Sequence, residues 1–334
     1  MLDVFQRLST ANPADSNSLN GLSVAHERIG NVLFALGRQA EALDVYRKMH
    51  VIDKQLVAQE PNRSTWQRNL AVSHEKIGSV LLAQGDLSGA LAEYRAQLAV
   101  TQRLVSTDQS HTGWQRDITV TYGKIGGVLL AQGNTEEAIE NYQRRLPILD
   151  RLTKSDPRNA TWTRDLAVSY AMIADVHVTK GKLVEAHANY RKSHAIWEQV
   201  AASDPSNVGW QLDLLWSHSR LTLFQDDAVT RIEFIVATLQ RLKMEGKLTA
   251  EQERWLPYAE HALAAAKLGN AEVQWAMLNI YWQTASFTEN PVRQASLVVA
   301  MLRKLQEENR LTSEQARWLP IAELELAKLR QRQP

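Results

Sequence analysis

The chain has 334 residues, and its 38 lysines and arginines nearly balance its 37 aspartates and glutamates. This balance argues against a nucleic-acid partner, because nucleic-acid binders usually carry a basic excess, and the lack of cysteine excludes disulfides and thiolate metal sites. No apolar run reaches the roughly 20 residues that cross a bilayer, and the N-terminus lacks the plan of a signal peptide. The composition therefore predicts a cytoplasmic protein that binds neither nucleic acid nor membrane.

A 48-residue period organises most of the chain. Four tryptophans stand one period apart, and the first three open nearly the same phrase, as in Trp66-Gln-Arg-Asn-Leu-Ala-Val-Ser. The four are Trp66, Trp114, Trp162 and Trp210. A fixed period of this size predicts stacked copies of one supersecondary unit, which is typical of a solenoid and not of a closed enzyme domain. We expect each indole to pack against the second helix of the preceding repeat.

Residues 1–17 precede the first complete repeat and are predicted to be the second helix of a partial one. Leu2, Val4 and Leu8 align with apolar positions two periods further along the chain. Because the first helix of this repeat is missing, its apolar stripe is expected to be uncovered. Two explanations stay open. The chain is a fragment of a longer protein, or a partner covers this end, and self-association through the half-repeat would supply one.

Each complete repeat is predicted to be a pair of antiparallel helices. The four repeats are residues 18–65, 66–113, 114–161 and 162–209. In each, apolar residues recur at helical spacing, and a glycine then ends the first helix at one shared position, where a left-handed residue is expected. These glycines are Gly37, Gly85, Gly133 and Gly181. In three of the four repeats the end of the second helix is marked by a proline, as at Pro61.

At these positions the chain resembles the tetratricopeptide repeat. That family places a small residue after an aliphatic one in its first helix, as in Ile29-Gly30, and an alanine four residues before an aromatic in its second, as in Ala42 and Tyr46. The long period is similar to that of kinesin-light-chain-like and bacterial signalling arrays. The resemblance implies an all-α, right-handed superhelical solenoid whose first helices line a concave groove.

Residues 210–334 depart from the repeat and are predicted to form atypical helical hairpins that cap the solenoid. They carry an internal duplication at an offset of 63, in which Trp255-Leu-Pro recurs as Trp318-Leu-Pro. Two positions predict left-handed helix ends, and two threonines with a glutamine three residues later predict capping boxes. The helix-end residues are Gly246 and Asn309, and the capping pairs are Thr249 with Gln252 and Thr312 with Gln315.

Basic residues recur at two positions of the repeat and form the candidate peptide-binding site. The six residues are Arg28, Arg68, Lys76, Arg116, Lys124 and Arg164. On first helices that line a groove, they are expected to form a ladder that grips a carboxylate-rich peptide through charge-assisted hydrogen bonds. The alternative is that each arginine pairs with an acidic residue beside it in the stack, Asp117 or Asp165, and locks neighbouring repeats together.

Three histidines of the fourth repeat, His177, His187 and His194, replace aliphatic residues of the earlier repeats. We interpret them as a junction cluster whose hydrogen-bond partners come from the helix beginning near Trp210, and a metal site is the alternative. His218 shares a repeat position with tyrosines, which indicates a packing role.

No catalytic motif is present. The glycines between Gly123 and Gly127 lie inside a predicted helix with no strand before them, so they do not form a phosphate loop. We therefore expect a non-catalytic scaffold without cofactor or metal that binds a protein or peptide in its groove. The alternative function is a sensor or regulatory arm of a larger bacterial signalling or defence enzyme whose effector domain lies upstream. An enzyme built around the three histidines would need a bound metal.

Overall fold

The computed structural model describes residues 14–224, 227–268 and 291–332, together with the isolated residues 7, 12, 275, 278 and 282. They divide into two compact units, residues 1–148 (unit 1) and residues 149–333 (unit 2). Within the described residues every regular element is a helix. The all-α class is therefore confirmed, whereas the stripe of Leu2, Val4 and Leu8 lies outside the described residues.

Unit 1 is a succession of long helices, and the first five pack each against the next along the chain. They are α1 (Ser16–Ala35), α2 (Gln39–Gln59), α3 (Ser64–Ala83), α4 (Leu87–Thr107), α5 (Thr112–Ala131) and α6 (Thr135–Ser155), of which α6 ends in unit 2. First helices have 20 residues and second helices have 21. Each 48-residue stretch therefore contains two long helices separated by a short turn.

The turns between paired helices are closed by glycine, as the sequence predicts. Gly37, Gly85 and Gly133 have φ angles of 74°, 82° and 83°. A side chain is strained in this left-handed region, which glycine adopts freely. Since the three glycines stand 48 residues apart, the turn fixes the same pairing geometry in every repeat.

Two contacts hold the repeats of unit 1 together. Within a pair, Tyr46 is 2% exposed and lies against Gly30, where an added Cβ would come 2.4 Å from the Tyr46 ring. Between pairs, Trp66 of α3 is 2% exposed and packs with Ile52 and Leu56 of α2. The expectation that the indole packs on the preceding second helix is confirmed for Trp66. Burying a large side chain in this way contributes roughly 1.5–3 kcal/mol.

Unit 2 continues the helix pairs and then departs from them. Its further helices are α7 (Ala160–Thr179), α8 (Leu183–Ser203), α9 (Val208–Thr222), α10 (Ala228–Met244), α11 (Ala250–Glu253), α12 (Trp255–Leu268), α13 (Pro291–Glu307), α14 (Ser313–Ala316) and α15 (Trp318–Arg332). The α7–α10 helices pack in sequence, α10 packs on α12, and α13 packs on both α15 and α7. One apolar cluster, which includes Leu221, Ile232, Leu239 and Leu302, joins these helices.

The duplication in residues 210–334 is visible in the helix bounds. The α13 helix begins and ends 63 residues after α10, and α14 stands in the same relation to α11. Gly246 and Asn309 have φ angles of 62° and 55°, which confirms the predicted left-handed helix ends. Both capping boxes form, but each opens a helix of only four residues that stops just before Trp255 or Trp318. No helix among the described residues is long and apolar enough to span a membrane.

Candidate functional site

A row of polar contacts joins the first helices of adjacent repeats in unit 1. Asn69 Nδ2 donates to Asn20 Oδ1 at 3.0 Å, and Arg68 Nε donates to Asp117 Oδ2 at 3.4 Å. In both contacts the two residues stand 49 positions apart, which is one repeat plus one residue. The side chains therefore face each other across α1 and α3, and across α3 and α5.

Lysines and glutamates form the second half of this row. Lys76 Nζ lies 3.8 Å from Glu27 Oε1, and Lys124 Nζ lies 2.5 Å from Glu75 Oε1. Both pairs again span 49 positions. We call these four contacts the inter-repeat row. The lysine side chains in it are 26% and 27% exposed, so they are neither buried nor fully in solvent.

The other basic candidates lie in related places. Arg28 is exposed on α1, at the repeat position that Lys76 and Lys124 occupy on α3 and α5. Arg116 is half-buried on α5, at the repeat position of Arg68. In unit 2, Arg164 Nη2 lies 3.3 Å from Asp213 Oδ2, again 49 positions on.

These ion pairs favour the second interpretation of the basic residues, in which they lock neighbouring repeats together. Each pair connects two repeats, and exposed pairs of this kind contribute up to about 1 kcal/mol each. Lys124 Nζ also lies 3.5 Å from Ser79 Oγ, but the side chains of Lys76 and Lys124 remain 26% and 27% exposed, so a ligand can reach them. Peptide binding by this row therefore remains a prediction.

The three histidines of the fourth repeat meet different neighbours. The His187 ring stacks on Phe224 with ring centroids 4.8 Å apart. His177 has a buried Nδ1 with no hydrogen-bond partner, and burial lowers its pKa. His194 contacts Ser217 of α9 through Nδ1 at 2.8 Å. The prediction that the helix near Trp210 supplies a partner is therefore confirmed for His194, and the described residues hold no group of three or more ligands placed to bind a metal.

His194 belongs instead to a pair with His218, which sequence reasoning treated as a packing residue. The two rings meet edge to face with centroids 4.4 Å apart. Arg231 Nη1 donates to His194 Nε2 at 2.8 Å and to His218 Nδ1 at 3.1 Å. Because arginine only donates, both nitrogens accept, and the proton of His194 lies on Nδ1, which donates to Ser217. Glu198 Oε1 also lies 3.5 Å from His194 Nε2, and burial, with His194 and Arg231 adding to the shift, lowers the pKa of His218 to about 3.

A second pair of the same shape lies in unit 1. The rings of His50 and His74 meet edge to face at 4.6 Å, and His50 Nδ1 lies 2.9 Å from Ser73 Oγ. A carboxylate takes the place of the guanidinium here, since His74 Nδ1 lies 2.6 Å from Glu93 Oε2. The two pairs occupy the same positions of the repeat, three periods apart.

Joint substitution is the signal that would have revealed both pairs. From His50 to His218 these two repeat positions carry histidine with histidine or leucine with tyrosine, whereas the preceding pair, Leu2 with His26, is mixed. The four combinations are His50 with His74, Leu98 with Tyr122, Leu146 with Tyr170, and His194 with His218. Taken one at a time, each position looks like an ordinary exchange of aromatic or apolar residues, which is why the pairing is missed.

The histidine pairs should make stability depend on acid. Burial first, and then His74, lowers the pKa of His50 to about 4, while an unfolded histidine has a pKa of about 6.5. Above about pH 6.5 His50 is neutral in both states and does not affect the free energy of unfolding. As the pH falls from 6.5 toward 4, the unfolded chain binds a proton that the folded protein does not, so the free energy of unfolding decreases. We expect the double variant His50→Leu with His74→Tyr, which copies the pair at 98 and 122, to remove about 1–3 kcal/mol of this loss.

Urea unfolding at pH 7.5 and at pH 5 measures the effect as the difference between variant and wild type. His261→Asn, which changes an exposed histidine, serves as the control and should follow the wild type. The explanation fails if the double variant loses as much stability on acidification as the wild type does.

No protein-family model matches the chain, and no curated protein matches it in sequence. Solved structures do resemble it. RapI in its apo form is 12% identical, with 98% of this chain and 80% of that chain covered and a TM-score of 0.58. BtubC from P. vanneervenii is 14% identical over 80% and 88% of the two chains, with a TM-score of 0.48.

The thermophilic TPR protein TTC0263 from Thermus thermophilus is 16% identical over 71% of this chain and 98% of that one, with a TM-score of 0.41. At these identities the likeness concerns the fold alone. The helix pairs, their glycine turns and the likeness to RapI agree on one fold, that of a tetratricopeptide-like repeat protein.

Proposed function

We propose that this chain, whose fold is that of a tetratricopeptide-like repeat protein, is a non-catalytic scaffold that binds an acidic segment of a protein or peptide. The binding surface is the inter-repeat row on α1, α3 and α5, with Arg28 as a further cation at the same repeat position. The observation that carries the proposal is that the side chains of Lys76 and Lys124 remain about a quarter exposed, at 26% and 27%, while they are paired. The exposed part of each ammonium group is what a ligand carboxylate would meet.

The row suits a ligand with regularly spaced carboxylates. Neighbouring packed helices lie roughly 8–10 Å apart, and an extended peptide advances roughly 3.3 Å per residue. One acidic residue in every three would therefore meet successive lysines. Glu27 and Glu75 hold these lysines in place before the ligand arrives, which reduces the entropy that binding would otherwise lose.

A charge swap separates ligand binding from locking. Replacing Glu27 by lysine and Lys76 by glutamate keeps the ion pair but reverses the charges that a ligand meets. We expect the swapped protein to be within about 0.5 kcal/mol of the wild type in stability and to lose its partner. Lys76→Glu alone places two carboxylates together and should lower stability by up to about 1 kcal/mol.

The matched control is a swap of Asp44 and Lys48 on α2, an exposed pair 2.6 Å apart on a second helix. The wild type and the two swapped proteins are each used to capture partners from cells of the native host. Mass spectrometry then measures how much of each wild-type partner every protein retains. Loss with the Glu27/Lys76 swap and retention with the Asp44/Lys48 swap supports the proposal. Equal capture by all proteins places the binding surface elsewhere and leaves the row with locking alone.

The finer features of this proposal rest on the sequence. They are a cytoplasmic location, a part in bacterial signalling, and self-association through residues 1–17. A concentration series in analytical ultracentrifugation tests the last of them, because a stripe that pairs with a second copy makes the mass rise with concentration.

A further inference from the structure

A strip of valines runs beside the lysines of the inter-repeat row. Its members stand at one position of the repeat on α1, α3 and α5, and they are Val24, Val72 and Val120. Each valine stands four residues before a cation, and these cations are Arg28, Lys76 and Lys124. Residues four apart share one face of a helix, and four residues advance the helix by roughly 6 Å. The valine strip and this basic strip therefore run side by side across the three first helices.

The valine strip offers apolar surface to a ligand. Val24 is 36% exposed, and Val72 and Val120 are partly exposed. Val72 also packs against the apolar cluster that joins α2 to α3, so its side chain is held in place. Since the strip lies roughly 6 Å from the cations along each helix, a ligand that binds the cations also lies over the valines. Its chemistry should therefore suit both strips.

The spacing of the cations selects the backbone conformation of the ligand. Neighbouring packed helices lie roughly 8–10 Å apart. In a flat β-strand successive side chains alternate between two faces, so residues three apart point to opposite sides. A polyproline II helix has about three residues per turn and rises about 3.1 Å per residue, so every third side chain points the same way at intervals of roughly 9 Å. An acid at every third position therefore meets successive cations only in the polyproline II form.

We propose that the ligand of the row is a polyproline II segment with an acid at every third position and an aliphatic residue beside each acid. The inference rests on the proposed function and specifies the ligand of that same surface. Neighbouring side chains of this helix point about 120° apart, so the acid lies on the basic strip while the aliphatic residue lies on the valine strip. The third position faces solvent, and a proline there holds the backbone in this form before binding.

Four synthetic peptides with blocked ends separate the parts of this pattern. Three copies of Glu-Val-Pro carry the whole pattern, with one acid for each cation of the basic strip. Three copies of Glu-Gln-Pro keep the acids and lack the aliphatic residue, and three copies of Gln-Val-Pro keep the aliphatic residue and lack the charge. Three copies of Glu-Val place the same three acids on one face of a β-strand instead. Calorimetry at low ionic strength measures the affinity of each peptide for the whole protein.

We expect saturable binding of the Glu-Val-Pro peptide. The Gln-Val-Pro peptide should bind at least about tenfold more weakly, the Glu-Gln-Pro peptide roughly three- to tenfold more weakly, and the Glu-Val peptide at least about threefold more weakly.

Equal binding of the Glu-Val-Pro and Glu-Gln-Pro peptides overturns the role of the valines, and equal or tighter binding of the Glu-Val peptide overturns the polyproline II form. In both cases the row still binds acids, so the proposed function stands while this inference fails. If no acidic peptide binds at millimolar concentration, or if the Gln-Val-Pro peptide binds as well as Glu-Val-Pro, both fail.

Threonine variants locate the aliphatic residue of the ligand, because threonine replaces one methyl group of valine by a hydroxyl. The triple variant Val24→Thr, Val72→Thr, Val120→Thr should lower the affinity for Glu-Val-Pro toward that for Glu-Gln-Pro and leave the latter unchanged. Val24→Thr alone changes the most exposed of the three valines and should show part of this loss, which keeps the test valid if the triple variant does not fold. Val51→Thr, at a valine 64% exposed on α2, is the matched control and should bind as the wild type does. An unchanged ratio of the two affinities in Val24→Thr, or an equal loss in Val51→Thr, contradicts the proposed site.

Discussion

Asp53→Asn is expected to stabilise the protein by about 2–4 kcal/mol at pH 8 and by much less at pH 4. The side chain of Asp53 is completely buried on α2, and burial raises the pKa of its carboxyl to about 7. Ser23 Oγ donates to Asp53 Oδ1 at 2.6 Å, but Oδ2 is buried without a hydrogen-bond partner. The carboxyl is therefore poorly solvated when it ionises.

The direction of the effect follows from the raised pKa. An unfolded aspartate has a pKa of about 3.9, so below this value both states bind the proton and the group does not change stability. As the pH rises from 4 toward 7, the unfolded chain releases the proton while the folded one retains it, and stability falls. Asparagine resembles the protonated acid in shape and does not ionise, so the variant should lack this fall.

Urea unfolding between pH 4 and pH 8 measures the free energy of unfolding of the variant and of the wild type. In the difference between the two values, the titration of all other groups cancels. Asp44→Asn, on the exposed side of the same helix, is the control and should change stability by only a few tenths of a kcal/mol. A variant that is less stable than the wild type at pH 8, or that keeps the same dependence on pH, contradicts the explanation.

The sequence predicts the backbone of this fold well because local chemistry repeats. The glycine turns, the left-handed Asn309 and both capping boxes are set by residues within a few positions of each other. Because the sequence repeats every 48 residues, the same helix lengths and glycine turn recur in four repeats. The lengths of α11 and α14 cannot be predicted in the same way, because a capping box marks where a helix begins and not where it ends.

Contacts between repeats are harder to predict from the sequence. The partner of Glu27 stands 49 residues away, and an alignment in strict 48-residue columns places Glu27 beside Glu75 and not beside Lys76. The extra residue comes from the way neighbouring helices are offset when they pack. The Arg231 network is hidden for a different reason, because α10 lies beyond the regular repeats and no earlier repeat shows what it contacts.

The burial of Asp53 cannot be predicted from the repeat alignment either. Its repeat position carries Thr101, Leu149 and Trp197 elsewhere, so the alignment gives no acidic pattern. The position therefore holds a buried acid in one repeat, threonine in the next and apolar residues in the other two, on one shared backbone.

Substituting alanine at two neighbouring glycines of α5 should change stability in opposite directions. A Cβ at Gly126 would lie 2.5–2.9 Å from three atoms of the Tyr142 ring, which is 3% exposed, whereas a Cβ at Gly127 meets nothing closer than 3.9 Å. Gly127→Ala should stabilise the protein by about 0.5–1 kcal/mol through helix propensity.

Gly126→Ala gains the same propensity but forces the ring to move, and overpacking costs about 1–3 kcal/mol, so a net loss of about 1–2 kcal/mol is expected. The fourth repeat carries Ala174 at this position beside Tyr190, so a methyl group fits there once the tyrosine has shifted, and Ala174→Gly should leave a gap and lose stability. Thermal and urea unfolding measure the change in stability of the three variants relative to the wild type. If Gly126→Ala and Gly127→Ala change stability in the same direction, the close packing of tyrosine on glycine does not hold the helix pair together.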